Sequence, residues 1–127
     1  VLWNKAGLPC GCISGRTSDA LTRRAAELHF AELFQGIGRK RDILEEICTR
    51  RKLSSEYVAY IGDDVNDLSL LGKVGLFIAP SDAHEEVRHR ADWVLSCPGG
   101  NGAIREAIDY LLTCQGRLEG IIADYLA

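Results

Sequence analysis

A chain of 127 residues that is 46% hydrophobic and 26% charged has the size and composition of a single globular domain. Its net charge of −3 gives no general electrostatic case for nucleic acid or an anionic membrane, and no apolar run approaches the length that crosses a bilayer. Five cysteines, odd in number and without a Cys-x-x-Cys pair, argue against a zinc or redox centre and for reduced, mostly buried thiols in a cytoplasmic protein.

The chain starts without methionine, and residues 1–7 read as the last turns of a helix closed by Gly7, so a longer parent protein is expected. Residues 8–14 form a short apolar run ending in Ser-Gly-Arg, a buried strand. Residues 17–29 place Ala20, Leu21, Ala25 and Leu28 at helical spacing, with Thr17 or Ser18 available as the cap. A brief strand over 31–34 leads to the Gly36-Ile37-Gly38 turn. Residues 40–53 predict an amphipathic helix with Ile43, Leu44, Ile47 and Cys48 inward.

β-Branched and aromatic residues make 57–61 a strand, and 66–71 a short helix ended near Gly72. A strand over 75–79, a helix over 83–90 and a strand over 92–96 follow. A helix over 101–114 turns Ile104, Ala107, Ile108 and Leu111 inward, and 118–126 is a terminal amphipathic helix. Apolar strands alternating with helices predict a parallel α/β sheet covered on both faces, with ligands beyond the carboxyl ends of its strands.

Two polar clusters fall at that edge. Asp63, Asp64 and Asp67 directly follow an apolar strand. Two carboxylates ~5 Å apart repel by roughly 3 kcal/mol at an effective dielectric near 20. A magnesium ion would offset this, since it favours carboxylate oxygen and retains waters and a phosphate oxygen. Gly62 gives the strand a tight exit. The competing explanation is a helix start, with Asp64 as cap and Asp67 in the first turn. The second cluster is Ser14-Gly15-Arg16, where a hydroxyl and glycine-flanked amides can hold an anion and Arg16 can add a bidentate contact. Lys40 opens a helix, where a cation opposes the dipole and needs a phosphate or carboxylate to justify it. Otherwise Arg39, Lys40 and Arg41 are a solvated basic turn. His84 and His89, five apart, are a poor helical metal pair and read as surface or packing residues.

These sites, in this order, resemble the haloacid dehalogenase-like superfamily. Within it the match is to the phosphatases of 3-deoxy-D-manno-octulosonate 8-phosphate (KDO 8-phosphate). The resemblance runs through Ile13-Ser14-Gly15-Arg16, through Val58 to Asp64 and on to Asn66-Asp67, then Lys73-Val74-Gly75-Leu76 and Ser81-Asp82-Ala83-His84. It ends in Gly99-Gly100 followed by Gly102-Ala103-Ile104-Arg105-Glu106.

The resemblance implies one haloacid dehalogenase-like phosphatase domain over 1–127, a three-layer Rossmann-like fold with helices on both faces of its sheet. It implies magnesium-dependent hydrolysis of a sugar-acid phosphate, KDO 8-phosphate first, in lipopolysaccharide precursor synthesis, by a cytoplasmic homotetramer. Ser14 and the Gly15 amide would hold the phosphoryl group, and Lys40 would neutralise its charge. Asp63 would ligate magnesium, with Asp64 and Asp67 completing or orienting the metal site. Arg16 and Arg105 would contact the sugar acid or a neighbouring subunit.

The chain departs from the family in one respect. Family members open on a central strand ending in Asp-x-Asp, the nucleophile and the general acid–base. No Asp-x-Asp occurs here. That strand is expected upstream of Val1, and the 127 residues alone are expected to be inactive. The alternatives are a non-catalytic oligomerisation domain behind an acylneuraminate cytidylyltransferase, and a phosphatase of nine-carbon sugar-acid 9-phosphates. A receiver-like signalling domain also pairs acidic residues with a lysine, but Ser-Gly-Arg ahead of the acidic cluster does not suit it.

Overall fold

Phe77, Ile78 and Ala79 are consecutive and all buried, the signature of a strand covered on both faces. They belong to β4 (Leu76–Ala79), the middle strand of a parallel sheet with β3 (Ala59–Ile61) on one side and β5 (Trp93–Val94) on the other. The computed structural model describes residues 1–127. The chain divides into two compact units, Arg39–Ala107 and Val1–Gly38 with Ile108–Ala127.

In the first of these, the sheet is joined by α3 (Lys40–Arg51) and α4 (Glu85–Arg90). Leu44 of α3 and Val87 of α4 meet Leu70, Phe77, Ala79 and Ala83 in one core. A 3₁₀ turn over Ser55–Tyr57 takes the first residue of the strand expected over 57–61, and the short helix expected over 66–71 is a 3₁₀ turn over Val65–Leu70. The turn at 55–57 is fixed by a close approach: a Cβ on Gly75 would lie 1.8 Å from the Glu56 carbonyl oxygen. The Gly75 amide instead donates to the carbonyls of Ser55 and Val58.

In the second unit, β1 (Gly11–Ile13) and β2 (Glu32–Phe34) pair in parallel, Gly11 opposite Glu32 and Ile13 opposite Phe34. Between them runs α2 (Asp19–Glu27), capped by the Ser18 hydroxyl, which accepts from the Leu21 amide. The side chain of Gln35 ties the cap to β2 by accepting from the Ser18 amide and donating to Thr22. α1 (Leu2–Lys5) ends at Gly7, whose φ of +73° suits glycine. It meets α6 (Leu118–Leu126) through Lys5 lying over the Tyr125 ring. Arg117 adds a hydrogen bond to the Ala6 carbonyl.

The architecture is the expected parallel α/β, in two pieces: β1-β2 and β3-β4-β5. β3 is therefore the end strand of its sheet. No helix is long and apolar enough to cross a membrane.

Three expectations about burial change. None of the five cysteines is buried: four are half-buried and Cys114 is exposed, all as free thiols. On α3 only Leu44 of the four expected residues is fully buried, and Lys40 joins it. On α5 (Ala103–Cys114) Ile104 is exposed, while Ala103, Ala107 and Leu112 are buried. Ile108 and Leu111 are half-buried, so of the four residues expected inward only Ile104 is exposed.

Candidate functional site

Lys40 is the first residue of α3 and only 8% exposed. Burying an ammonium is costly unless it is paired. The pairing is with Asp67, 2% exposed, through a 2.6 Å bond from Lys40 Nζ to Asp67 Oδ1. The flanking arginines behave differently. Arg39 pairs with Asp42 and Arg41 with Glu45, both on the exposed surface of the same helix. Lys40 is thus set apart from its neighbours rather than being one of a solvated basic turn.

Asp67 receives four donors. Oδ1 accepts from Lys40 and from the Tyr60 hydroxyl, each at 2.6 Å. Oδ2 accepts from the backbone amides of Asp63 at 3.0 Å and Asp64 at 3.1 Å. An ionised carboxylate has about four acceptor positions, so a direct metal bond would have to displace one of these partners. Burial pushes the Asp67 carboxyl up. The hydrogen bonds from Lys40, Tyr60 and the Asp64 amide, with the Lys40 charge, outweigh it and hold the group below the ordinary aspartate value.

The 3₁₀ turn that carries Asp67 starts at Asp64, which caps it by accepting from the Val65 amide at 2.7 Å. Asp67 reaches back to the Asp64 amide and completes a capping box. Capping and site-building are therefore the same set of bonds. Asp63 is held by its backbone on both sides: its amide donates to Asp67, and its carbonyl accepts from the His84 amide at 2.8 Å. The carboxylates of Asp63 and Asp64 are exposed. His84 caps α4, its Nδ1 accepting from the Glu86 amide.

Gly62 is required for space, not for a left-handed backbone. A Cβ there would sit 2.7 Å from Asp67 Cβ and 3.0 Å from Phe77 Cζ. Gly62→Ala is expected to displace Asp67 from its four donors and to cost about 1–3 kcal/mol, measurable as a lower melting temperature.

No group of three His, Cys, Asp or Glu side chains converges as a closed metal cage would require. Magnesium does not need one, since one or two carboxylates with waters and a phosphate oxygen suffice. Asp63 and Asp64 fit that donor set.

Ser14, Gly15 and Arg16 lie in the other unit, at the carboxyl end of β1. Ser14 extends the strand pairing by donating its amide to the Phe34 carbonyl. Its Oγ accepts from the Arg16 amide at 3.1 Å, and its carbonyl accepts from the Ile37 amide. That bond uses a lone pair of the hydroxyl and not its proton. Gly15 and Arg16 are exposed. Arg105 is exposed on α5.

Two residues have roles that the sequence does not reveal. Tyr60 has strand propensity in the sequence, and its hydroxyl is part of the Asp67 cluster. A tyrosine in a strand that enters an acidic turn is the available signal, since a sequestered hydroxyl needs a partner. Glu106 closes the Gly-Gly-x-Gly-Ala-x-Arg-Glu segment by accepting from the amides of Ser96 and Cys97 at 3.0 and 2.8 Å. Gly100 and Gly102, with φ of +73° and +100°, make the return possible.

Residues 16–108 match the family model of haloacid dehalogenase-like hydrolases. The chain is 39% identical over 107 residues to the 3-deoxy-D-manno-octulosonate 8-phosphate phosphatase of Escherichia coli K12. That match covers 84% of this chain and 57% of the relative, so the chain spans little more than half the length of this curated relative. Among solved structures, a probable YrbI family phosphatase from Pseudomonas syringae superposes with a TM-score of 0.96 at 36% identity. It is matched over 99% of this chain and 72% of its own. The 3-deoxy-D-manno-octulosonate 8-phosphate phosphatase of Moraxella catarrhalis, in complex with magnesium, phosphate and KDO, gives a TM-score of 0.93 at 31% identity. That match covers 98% of this chain and 71% of its own.

Proposed function

The chain belongs to the haloacid dehalogenase-like hydrolases, and from that membership we propose that the full-length protein is a magnesium-dependent phosphatase of a sugar-acid phosphate, KDO 8-phosphate first. The observation that carries this reading is the buried Lys40–Asp67 pair, which joins an ammonium to the backbone of two exposed aspartates. An arrangement of this kind has a use where a cation and an anionic group must be held side by side. The 39% identity to a KDO 8-phosphate phosphatase supports the choice of substrate.

In this reading Asp63 is the direct metal ligand and Asp64 completes the site. Asp67 acts through its four donors, orienting Asp63 and Asp64 by their amides and Lys40 by its ammonium. A bound magnesium ion supplies charge neutralisation on the phosphoryl oxygens. Lys40 neutralises the same group from its own side. Ser14 and the Gly15 amide hold the phosphoryl group, while Arg16 and Arg105 meet the sugar acid or a neighbouring subunit. The nucleophile is supplied by a segment outside these 127 residues. The protein works in the cytoplasm as a homotetramer.

The test is phosphate release by the full-length protein from a panel of sugar-acid phosphates, with magnesium and with chelator. Release from KDO 8-phosphate ahead of nine-carbon sugar-acid 9-phosphates, lost with chelator, is the expected result. Preference for a nine-carbon substrate would move the assignment to that branch. No release from any substrate with magnesium present would leave the non-catalytic module as the reading.

A further inference from the structure

We propose that Tyr60 is a positioning residue for Lys40, with its hydroxyl completing a three-membered ring of bonds that fixes the direction of the ammonium. The proposal rests on the phosphatase reading for its functional meaning, though the geometry stands without it.

The bond directions follow from the chemistry of the three groups. Asp67 faces an ammonium on one oxygen and two backbone amides on the other, groups that can only donate, so its carboxylate is the acceptor. Tyr60 must therefore donate its single proton across the 2.6 Å contact to Asp67 Oδ1. That leaves a lone pair on the phenol oxygen, and Lys40 Nζ lies 3.3 Å away as donor. Lys40 also donates to the same Oδ1 at 2.6 Å. Two of the three ammonium protons are thus committed, one to the carboxylate and one to the phenol. The third is the one left to meet a substrate oxygen.

A lysine needs such a second contact. Its ammonium is a compact charge on a four-carbon stem, and one bond to a carboxylate oxygen leaves it free to swing about that bond. The phenol removes this freedom because it is itself held firmly. Tyr60 lies in β3 in register with Phe77 of β4, and the two rings pack with centroids 5.7 Å apart. Phe77 is completely buried. The chain of support therefore runs from the core, through one aromatic ring, to the ammonium.

The experiment uses Tyr60→Phe in the full-length protein, which keeps the ring against Phe77 and removes only the hydroxyl. Two quantities are read. The first is the acylation rate of each lysine by an amine-reactive reagent, followed by mass spectrometry. Lys40 is expected to react about fivefold faster in the variant, the equivalent of one lost hydrogen bond. The exposed Lys5, Lys52 and Lys73 serve as internal controls and keep their rates. The second is steady-state phosphate release from KDO 8-phosphate. There kcat is expected to fall about tenfold, while KM stays within about twofold, because a misdirected charge is felt most where charge develops.

An unchanged Lys40 rate overturns the proposal. So does a rise of all four lysines together, which would make Tyr60 a general packing residue. Faster Lys40 labelling with kcat within twofold of the parent would likewise deny it a positioning role in catalysis. If the unmodified protein releases no phosphate at all while Lys40 alone labels faster in the variant, the phosphatase reading has failed and the contact to Lys40 has not.

Discussion

Replacing Asp67 by alanine is expected to destabilise the fold by about 3–5 kcal/mol at neutral pH, the usual cost of stranding one member of a buried ion pair. In a protein of this size class that lowers the melting temperature by roughly 10 °C or more. The cost falls on several groups at once. Lys40 loses its counterion, and the Tyr60 hydroxyl and the amides of Asp63 and Asp64 lose their acceptor. Lys40→Met should cost less, about 1–3 kcal/mol, because Asp67 would still keep three donors. Thermal unfolding of the two full-length variants against the parent decides the order. If Lys40→Met proved the more damaging, Asp67 would not be the hub that the four bonds describe.

The same pair gives a pH dependence of definite sign. The Asp67 carboxyl is depressed in the folded protein relative to its ordinary value of 3.8. Its contribution is therefore complete above that value and is lost as pH falls through the lower, folded value. The stability difference between the parent and Asp67→Ala should be constant through neutral pH and shrink below about 3.8.

Much of this arrangement can be read in the sequence, though with different reasons attached. The acidic turn after an apolar strand is visible because charge density beside β-branched residues is a local pattern. Lys40 is conspicuous because a cation at a helix start is unfavourable, and the structure gives the reason as a carboxylate 27 positions further on. What local pattern cannot reveal is a contact that depends on the third dimension. Tyr60 looks like any strand aromatic until its hydroxyl is seen against Asp67. Gly62 looks like a turn glycine until the missing Cβ is seen to make room for the Asp67 side chain. Ile104 fits a helical stripe on paper, yet it is exposed while Ala103 beside it is buried, which spacing alone does not decide. Cysteines are buried on average, and an average says little about a strand such as β1, which ends a two-stranded sheet.

The 127-residue chain, expressed by itself, is expected to release phosphate from KDO 8-phosphate at least about 10⁴ times more slowly than the full-length protein, the scale of loss when a nucleophile is removed from an assembled site. In the proposed reading the residues present hold a metal, fix an ammonium and offer a hydroxyl, and all of these stabilise charge. None supplies the attacking group of the family, since no Asp-x-Asp occurs in the sequence. The aspartates that do occur at the site are otherwise engaged: Asp67 by four donors and Asp64 by its cap. Asp63 is the remaining candidate, and turnover by the isolated chain that vanished in Asp63→Asn would promote it from ligand to nucleophile. Circular dichroism must accompany the measurement, because β3 ends its sheet with one edge unpaired, and a chain that failed to fold would be inactive for a different reason. An isolated chain with native secondary structure and turnover near that of the full-length protein would sink the assignment of the nucleophile to another segment. A folded and inactive chain, beside an active full-length protein, would support the assignment of the covalent chemistry to another segment.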